Sequence, residues 1–278
     1  MFLCFKDLRI AYYCLASLGI FFYFPCFTTD GVTSFGCFLL GSFLMFVWAV
    51  TMAVVLSVVC NKRFKAKLKL FDAGHPQEYA TFLERLLLDK QKPINRNHLL
   101  LDLSSAYCHQ GRVQEAFDLL MQVDLSVITK SYHIQRLVYF NNLSMCYLET
   151  KDYGRMKHCL ENLCMELESP QCNQYMRNQI KPVYLSKNIL LKFLCDELSP
   201  SEARAALEAC GFETDSVRSQ TWYRFWIAKT YLAQEDYENA KAYLILAAEE
   251  GLELYEAVQA RQLLEQNYPR PVRQNQTV

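Results

Sequence analysis

The sequence predicts an all-α protein, in which a two-helix transmembrane hairpin is followed by an α-solenoid of about four helix pairs. Three observations predict this fold. Two long apolar segments lie near the N-terminus, a dense run of cations follows the second, and an apolar pattern with helical spacing then recurs about every 40–42 residues.

Residues 37–60 form the clearer of the two apolar segments. They contain no charged residue, and at 1.5 Å of rise per residue they make a helix of about 36 Å. This length crosses a bilayer core with some tilt. The alternative is a core helix of a soluble protein, but such helices rarely run this far without a polar face.

The segment 61–75 follows as a basic juxtamembrane linker. A Lys/Arg excess next to a span is typical of its cytoplasmic side, so we expect the rest of the chain to lie on the inner face of a membrane. The segment has two interpretations: an amphipathic helix on anionic lipid, or an outward continuation of the membrane helix. The predicted membrane-surface residues are Lys62, Arg63, Lys65, Lys67 and Lys69.

Residues 8–27 form the first apolar segment. A signal peptide is the alternative interpretation, but the run is long and aromatic and no small-x-small cleavage site follows it. The turn 28–36 carries no Lys or Arg, whereas both outer flanks are cationic. We therefore expect two spans with both termini in the cytoplasm. Because neither span carries an intramembrane acid or base, the hairpin is predicted to be an anchor.

The net charge indicates which class of partner to expect, and the cysteine usage indicates the redox compartment. Beyond Lys69 the chain has 22 Lys and Arg against 27 Asp and Glu, a net charge of −5. A nucleic-acid partner is not expected, because phosphate binding needs a basic domain surface. The 12 cysteines are scattered through apolar and helical segments, which favours free thiols in a reducing cytoplasm.

Residues 76–266 form the predicted helical repeat domain. Two periodic segments meet at Gly111, as in an antiparallel helix pair with a tight turn. Similar pairs recur around Tyr147 and Tyr231, and a weaker copy around Ser186 is followed by a helix that begins at the capping box Ser199–Glu202. No pair buries its apolar face alone, so the pairs are expected to stack.

This pattern resembles the tetratricopeptide repeat (TPR), which has Leu, a small residue, Tyr and a second small residue at set offsets. The matching residues of the first copy are Leu103, Ser104, Tyr107, Ala116, Leu120 and Val123. The spacing of about 40–42 residues is longer than the 34 typical of the family. A last helix, 252–266, is expected to cap the end with Glu256 in water, and residues 267–278 are predicted to be a disordered tail.

The sequence offers no site for chemistry. It contains neither GxxxxGK[ST] nor GxGxxG, its Cys and His spacing matches no zinc knuckle, and no motif presents a nucleophile. We therefore expect no catalytic residues, no metal site, no cofactor and no enzymatic activity.

The resemblance implies a concave groove lined by the first helices of successive pairs, as is usual for peptide or helix binding by solenoids. The leading prediction is a non-catalytic adaptor or scaffold that binds a protein or peptide partner in this groove and membrane lipids through the hairpin and linker. The alternative is a membrane-associated signalling or transport component with a functional hairpin. Carrying over the family's offsets gives these groove residues: Leu101, Asn141, Met145, Trp222, Phe225, Lys229 and Leu232.

Overall fold

The protein is all-α in the part that the structure, a computed structural model, describes: residues 35–129, 132–211 and 216–268. These ranges contain eleven α-helices and no strand. A short 3₁₀ helix spans Leu125–Val127. The α-helices are α1 (Phe35–Asp72), α2 (Pro76–Leu87), α3 (Pro93–Cys108), α4 (Val113–Leu120), α5 (Ile134–Glu149), α6 (Tyr153–Glu168), α7 (Gln174–Leu194), α8 (Pro200–Gly211), α9 (Val217–Leu232), α10 (Tyr237–Glu250) and α11 (Tyr255–Asn267).

Helix α1 contains a segment that could cross a membrane by its length and composition. Within the described residues it is the one such helix, with a mean hydropathy of 2.5 and little burial in its apolar window. Large apolar side chains between Phe43 and Val58 are exposed along it. The other predicted span, 8–27, lies outside the described residues, as do most of the turn 28–36 and of the tail 267–278.

The second part of α1 enters the protein core. The helix continues without a break through most of the predicted linker 61–75, and Cys60, Phe64 and Phe71 are buried. The Phe71 ring stacks on that of Tyr79 in α2 at 5.0 Å. A rigid helix therefore joins the apolar segment to the rest of the protein.

Helix starts follow the sequence signals. Ser199 and Glu202 form the predicted capping box: the Ser199 N–H donates to Glu202 Oε2 at 3.0 Å, and the Glu202 N–H donates to Ser199 Oγ at 3.3 Å. Proline begins α2, α3 and α8, at the helical position that needs no N–H.

One type of tight turn joins α3 to α4, α5 to α6, α7 to α8 and α9 to α10. Each turn has one residue in the left-handed region: Gly111, Lys151, Asp196 or Glu235. The N–H of the next residue then donates to the carbonyl five residues earlier, at 2.8–3.0 Å, which is the long bond of a Schellman motif. The four helix pairs therefore share one connection geometry.

Consecutive helices pack against each other from α1 to α11. In addition, α3 packs on α5, α5 on α7 and α9 on α11. The buried apolar side chains form two clusters, one in α1–α6 and one in α5–α11. The core is thus continuous along the row of helices, and both α5 and α6 contribute to the two clusters.

The two ends of this row meet. The Tyr255 N–H at the start of α11 donates to the His109 carbonyl at 2.8 Å. Arg218 of α9 pairs with Asp72 at the end of α1 at 3.0 Å. Gly111 is required here because a Cβ would lie 2.5 Å from the Tyr255 ring. The first helices of the four pairs, α3, α5, α7 and α9, therefore surround a common space.

The capping helix differs in detail from its prediction. It begins at Tyr255 rather than at Leu252, and Glu256, expected in water, is buried and lies 3.4 Å from His109 Nδ1. The expectation was wrong because helical periodicity does not reveal that another part of the chain covers the polar face.

Candidate functional site

A cavity of about 240 Å³ lies between α3, α5, α7 and α9. Each of the four helices contributes side chains, because each is the first helix of its pair and faces the common space. The apolar part of the wall consists of Met145, Ile180, Val183, Trp222 and Tyr223. The polar part includes Ser105, His109, Asn141, Lys187, Arg218 and Ser219.

Lys187 is the most unusual residue of this wall. Its side chain is buried, and its Nζ donates to the Asn141 carbonyl and to Asn141 Oδ1, both at 2.7 Å, and to Ser144 Oγ at 3.0 Å. Burial lowers the pKa of Lys187 from 10.5 to about 7, because a low-dielectric environment disfavours the charged form. The site therefore contains an amine that titrates near neutral pH.

Carboxylates are missing from this wall. No Asp or Glu is among the cavity-lining residues in the described part of the chain. Buried charges in proteins are normally paired with an opposite charge. For Lys187, the acidic groups that raise its pKa are not carboxylates but the three cysteines Cys108, Cys146 and Cys159. The hydrogen bonds of Lys187 all go to neutral oxygens, so its positive charge has no carboxylate partner here.

Arg218 connects the cavity to α1. Its Nε and Nη2 donate to Asp72 Oδ1 at 3.3 and 3.0 Å, and its guanidinium lies 4.5 Å from the centre of the Phe71 ring. One side chain thus lines the cavity and also binds the last residue of α1.

Two buried thiols lie near Lys187. Cys108 Sγ and Cys146 Sγ are 3.7 Å apart, and the hydrogen bond to Cys146 and burial together raise the pKa of Cys108. Burial raises the pKa of Cys159 to about 11. A thiol with a raised pKa is a poor nucleophile at neutral pH. Among the described residues, no group of three or more His, Cys, Asp or Glu side chains is arranged to hold a metal ion.

The structure brings three of the seven predicted groove residues to the cavity: Asn141, Met145 and Trp222. Leu101 is fully buried, and its carbonyl accepts from Asn142 Nδ2 at 2.8 Å. Phe225 packs in the second core cluster. Lys229 and Leu232 are half-buried near the end of α9 and do not line the cavity.

Sequence reasoning did not select Lys187 and Arg218. Lys187 lies in the weakest repeat copy, where the apolar offsets were least clear. One signal was available: Lys187 occupies an apolar stripe of helical spacing with Val183 and Leu190, where a lone lysine is unusual. Arg218 lies at the start of α9, before the matching offsets begin.

The predicted membrane-surface residues lie along α1, around its buried side chains. Lys62, Arg63, Lys65 and Lys69 are exposed, and Lys67 is partly exposed and pairs with Glu78 at 3.4 Å. The helix therefore presents buried Cys60, Phe64 and Phe71 to the core and cations to the solvent.

Comparisons of the chain with protein-family models, with curated proteins and with solved structures return no match.

Proposed function

We propose that this protein is a membrane-anchored TPR-like adaptor or scaffold, which binds a protein or peptide partner on the surface formed by its first helices and performs no chemistry. The observation that carries the proposal is that α3, α5, α7 and α9 face one common space. In an α-solenoid, this arrangement creates a concave surface for a partner segment.

The proposed attachment is a two-span hairpin with both termini in the cytoplasm, and with the basic residues of α1 on anionic lipid. Support comes from α1, whose exposed apolar part is followed directly by exposed cations. A membrane-impermeant thiol reagent applied to intact cells should label a Thr33→Cys variant and spare an Asn275→Cys variant. Labelling of the tail alone would overturn this topology.

The partner surface is tested by affinity purification of the full-length chain, with Lys229→Glu as the variant. Lys229 is a half-buried groove position outside the cavity, so its charge reversal changes the surface and spares the cavity wall. The matched control is Lys157→Glu on α6, an exposed lysine of a second helix. We expect Lys229→Glu to reduce the recovered partner at least tenfold, with no reduction for Lys157→Glu. Equal recovery with both variants would contradict the proposed surface.

A signalling component is the second candidate, and the contact between Asp72 and Arg218 favours it. This ion pair joins the end of α1 directly to the cavity wall, so a movement of Asp72 would act on a side chain that lines the cavity. A pure anchor does not require such a connection.

A further inference from the structure

The cavity combines features that suit an anionic ligand of limited size. Its charged lining residues are the cations Lys187 and Arg218, His109 also lines it, and no Asp or Glu is among the lining residues within the described part of the chain. Arg218 is paired with Asp72 and His109 with Glu256 outside the wall, so Lys187 is the group without a carboxylate partner. Because buried charge is costly unless it is compensated, an anion entering this space would compensate Lys187.

The polar groups around the two cations are suited to a carboxylate. Ser105 of α3 and Ser219 of α9 line the cavity, and a serine hydroxyl can donate to a carboxylate oxygen. Arg218 uses Nε and Nη2 for Asp72, which leaves Nη1 as a further donor. Guanidinium and hydroxyl donors together are a common set for carboxylate recognition.

The remaining wall is apolar and partly aromatic. Trp222 and Tyr223 of α9 line the cavity together with Met145 of α5 and Ile180 and Val183 of α7, so the non-polar part of a ligand would contact both aromatic and aliphatic side chains. A volume of about 240 Å³ corresponds to about eight water molecules in the liquid. The volume of this cavity therefore suits a small molecule.

We propose that this cavity is a binding site for a small organic monocarboxylate with an aromatic or branched aliphatic body. The carboxylate is placed next to Arg218, Ser105 and Ser219, with the Lys187 ammonium as the buried counter-charge, and the body lies against Trp222 and Met145. This site goes beyond the proposed adaptor function and does not depend on the partner surface.

Binding at this site also takes up a proton. With a pKa of about 7, the Lys187 amine is about 90% neutral at pH 8, and a nearby carboxylate favours its charged form. The titratable or charged groups near Lys187 are the thiols of Cys108 in α3, Cys146 in α5 and Cys159 in α6 and, along the cavity wall, His109, Arg218 and Tyr223. The hydrogen bond between the two thiols, together with burial, raises the pKa of Cys108, burial raises that of Cys159, and the same hydrogen bond lowers the pKa of Cys146. Loss of the proton uptake in Lys187→Met would therefore assign it to Lys187 rather than to Cys146.

The first test uses the full-length chain in lipid nanodiscs and five acids: benzoate, phenylacetate, 3-phenylpropionate, indole-3-acetate and 4-methylvalerate. Each acid is paired with its primary amide, which has the same body and no charge. We expect at least one acid to raise the melting temperature while its amide does not. If no acid in the panel exceeds its amide, the proposal is wrong.

The second test uses calorimetry to measure the affinity and binding enthalpy of the acid that binds most tightly in this panel. Lys187→Met should weaken its binding at least thirtyfold, whereas Lys181→Met, an exposed lysine on the same helix, should change it less than twofold. Unchanged affinity in folded Lys187→Met would overturn the proposal. On the wild-type chain, binding enthalpies at pH 8 in phosphate and in Tris should differ by the ionisation enthalpy of nearly one buffer proton. This measurement needs no variant, and equal enthalpies in the two buffers would also overturn the proposal.

Discussion

Replacing Glu149 by Gln should make the stability of the protein less dependent on pH. Glu149 is the last residue of α5. Burial and the negative charge of Glu256 raise its pKa from 4.5 to about 7, and a hydrogen bond from Tyr255 partly opposes this rise. The contact between α5 and the start of α11 therefore contains a carboxyl group that prefers to be protonated.

The sign of the effect follows from the proton count. Between pH 4.5 and 7 the folded protein keeps a proton that the unfolded chain has lost, so Glu149 makes stability fall as pH rises through this window. At 1.36 kcal/mol per pKa unit, the full rise corresponds to about 3 kcal/mol. Because the side chain is partly exposed, water screens some of this cost, and we expect a loss of about 2 kcal/mol.

Gln has the same shape, stays neutral and can still accept the Tyr255 hydrogen bond. The free energy of unfolding, measured by urea denaturation between pH 4.5 and 8, should therefore be equal for wild type and Glu149→Gln at pH 4.5, and about 2 kcal/mol higher for the variant at pH 8. Glu161→Gln on α6, an exposed position, is the matched control and should follow the wild type. Parallel curves for wild type and Glu149→Gln would refute this account of the contact.

Four further predictions concern other parts of the chain. Gly251→Ala should lower the free energy of unfolding in urea by about 2–3 kcal/mol, because the new Cβ would lie 2.5 Å from Thr221 Cγ2 and 2.6 Å from Ala257 Cβ. The control Gly154→Ala, where the nearest atom is 3.8 Å away, should instead raise it by about 0.5–1 kcal/mol. Glu235→Gly should raise the free energy of unfolding by about 1 kcal/mol, since residue 235 has φ 60° and a non-glycine residue is strained there; no gain would contradict the turn geometry. In native protein, exposed Cys195 should react with maleimide well before buried Cys108 and Cys146, as peptide mapping would detect, and equal rates would contradict their burial. Replacing Lys62, Arg63, Lys65 and Lys69 by Gln should lower the fraction of chains with a cytoplasmic C-terminus, scored by protease protection, whereas Lys151→Gln, Lys157→Gln and Lys181→Gln together should not.

Local features of the fold could be predicted from the sequence because their causes are local. The Ser199–Glu202 capping box is a signal within four residues, and the structure confirms it. The tight turn at Gly111 is also visible as a glycine between two periodic segments. The equivalent turns at Lys151 and Glu235 lack this glycine, and their left-handed residues are apparent only from the backbone.

The meeting of the two ends could not be predicted. Asp72 and Arg218 are 146 residues apart, and His109 and Glu256 are 147 apart. Neither pair belongs to a periodic pattern, so nothing in one segment indicates that the other will cover it. Glu256 was assigned to water for this reason, since on its own helix it lies among other polar residues.

The candidate site was predictable to the extent that repeat offsets fix which face of a helix is turned inward. Asn141, Met145 and Trp222 follow such offsets and line the cavity. The repeat pattern does not show whether Lys187 is buried or exposed. Its burial depends on where α7 lies between α5 and α9. From the sequence alone, a lysine is predicted to be exposed to solvent, and only the packing of the three helices shows that this one is buried.

The path of α1 gives the cavity a direct connection to the exposed apolar segment of this helix. The helix has no break between its exposed apolar part and Asp72, so a change in its tilt moves the carboxylate that holds Arg218. The same residue lines the cavity, and a carboxylate bound to its Nη1 would share the positive charge of the guanidinium with Asp72. Coupling between two sites is reciprocal in binding free energy. A ligand that weakens the contact between Asp72 and Arg218 would therefore loosen α1 from α9, and any restraint on α1 that strengthens this contact would weaken the ligand.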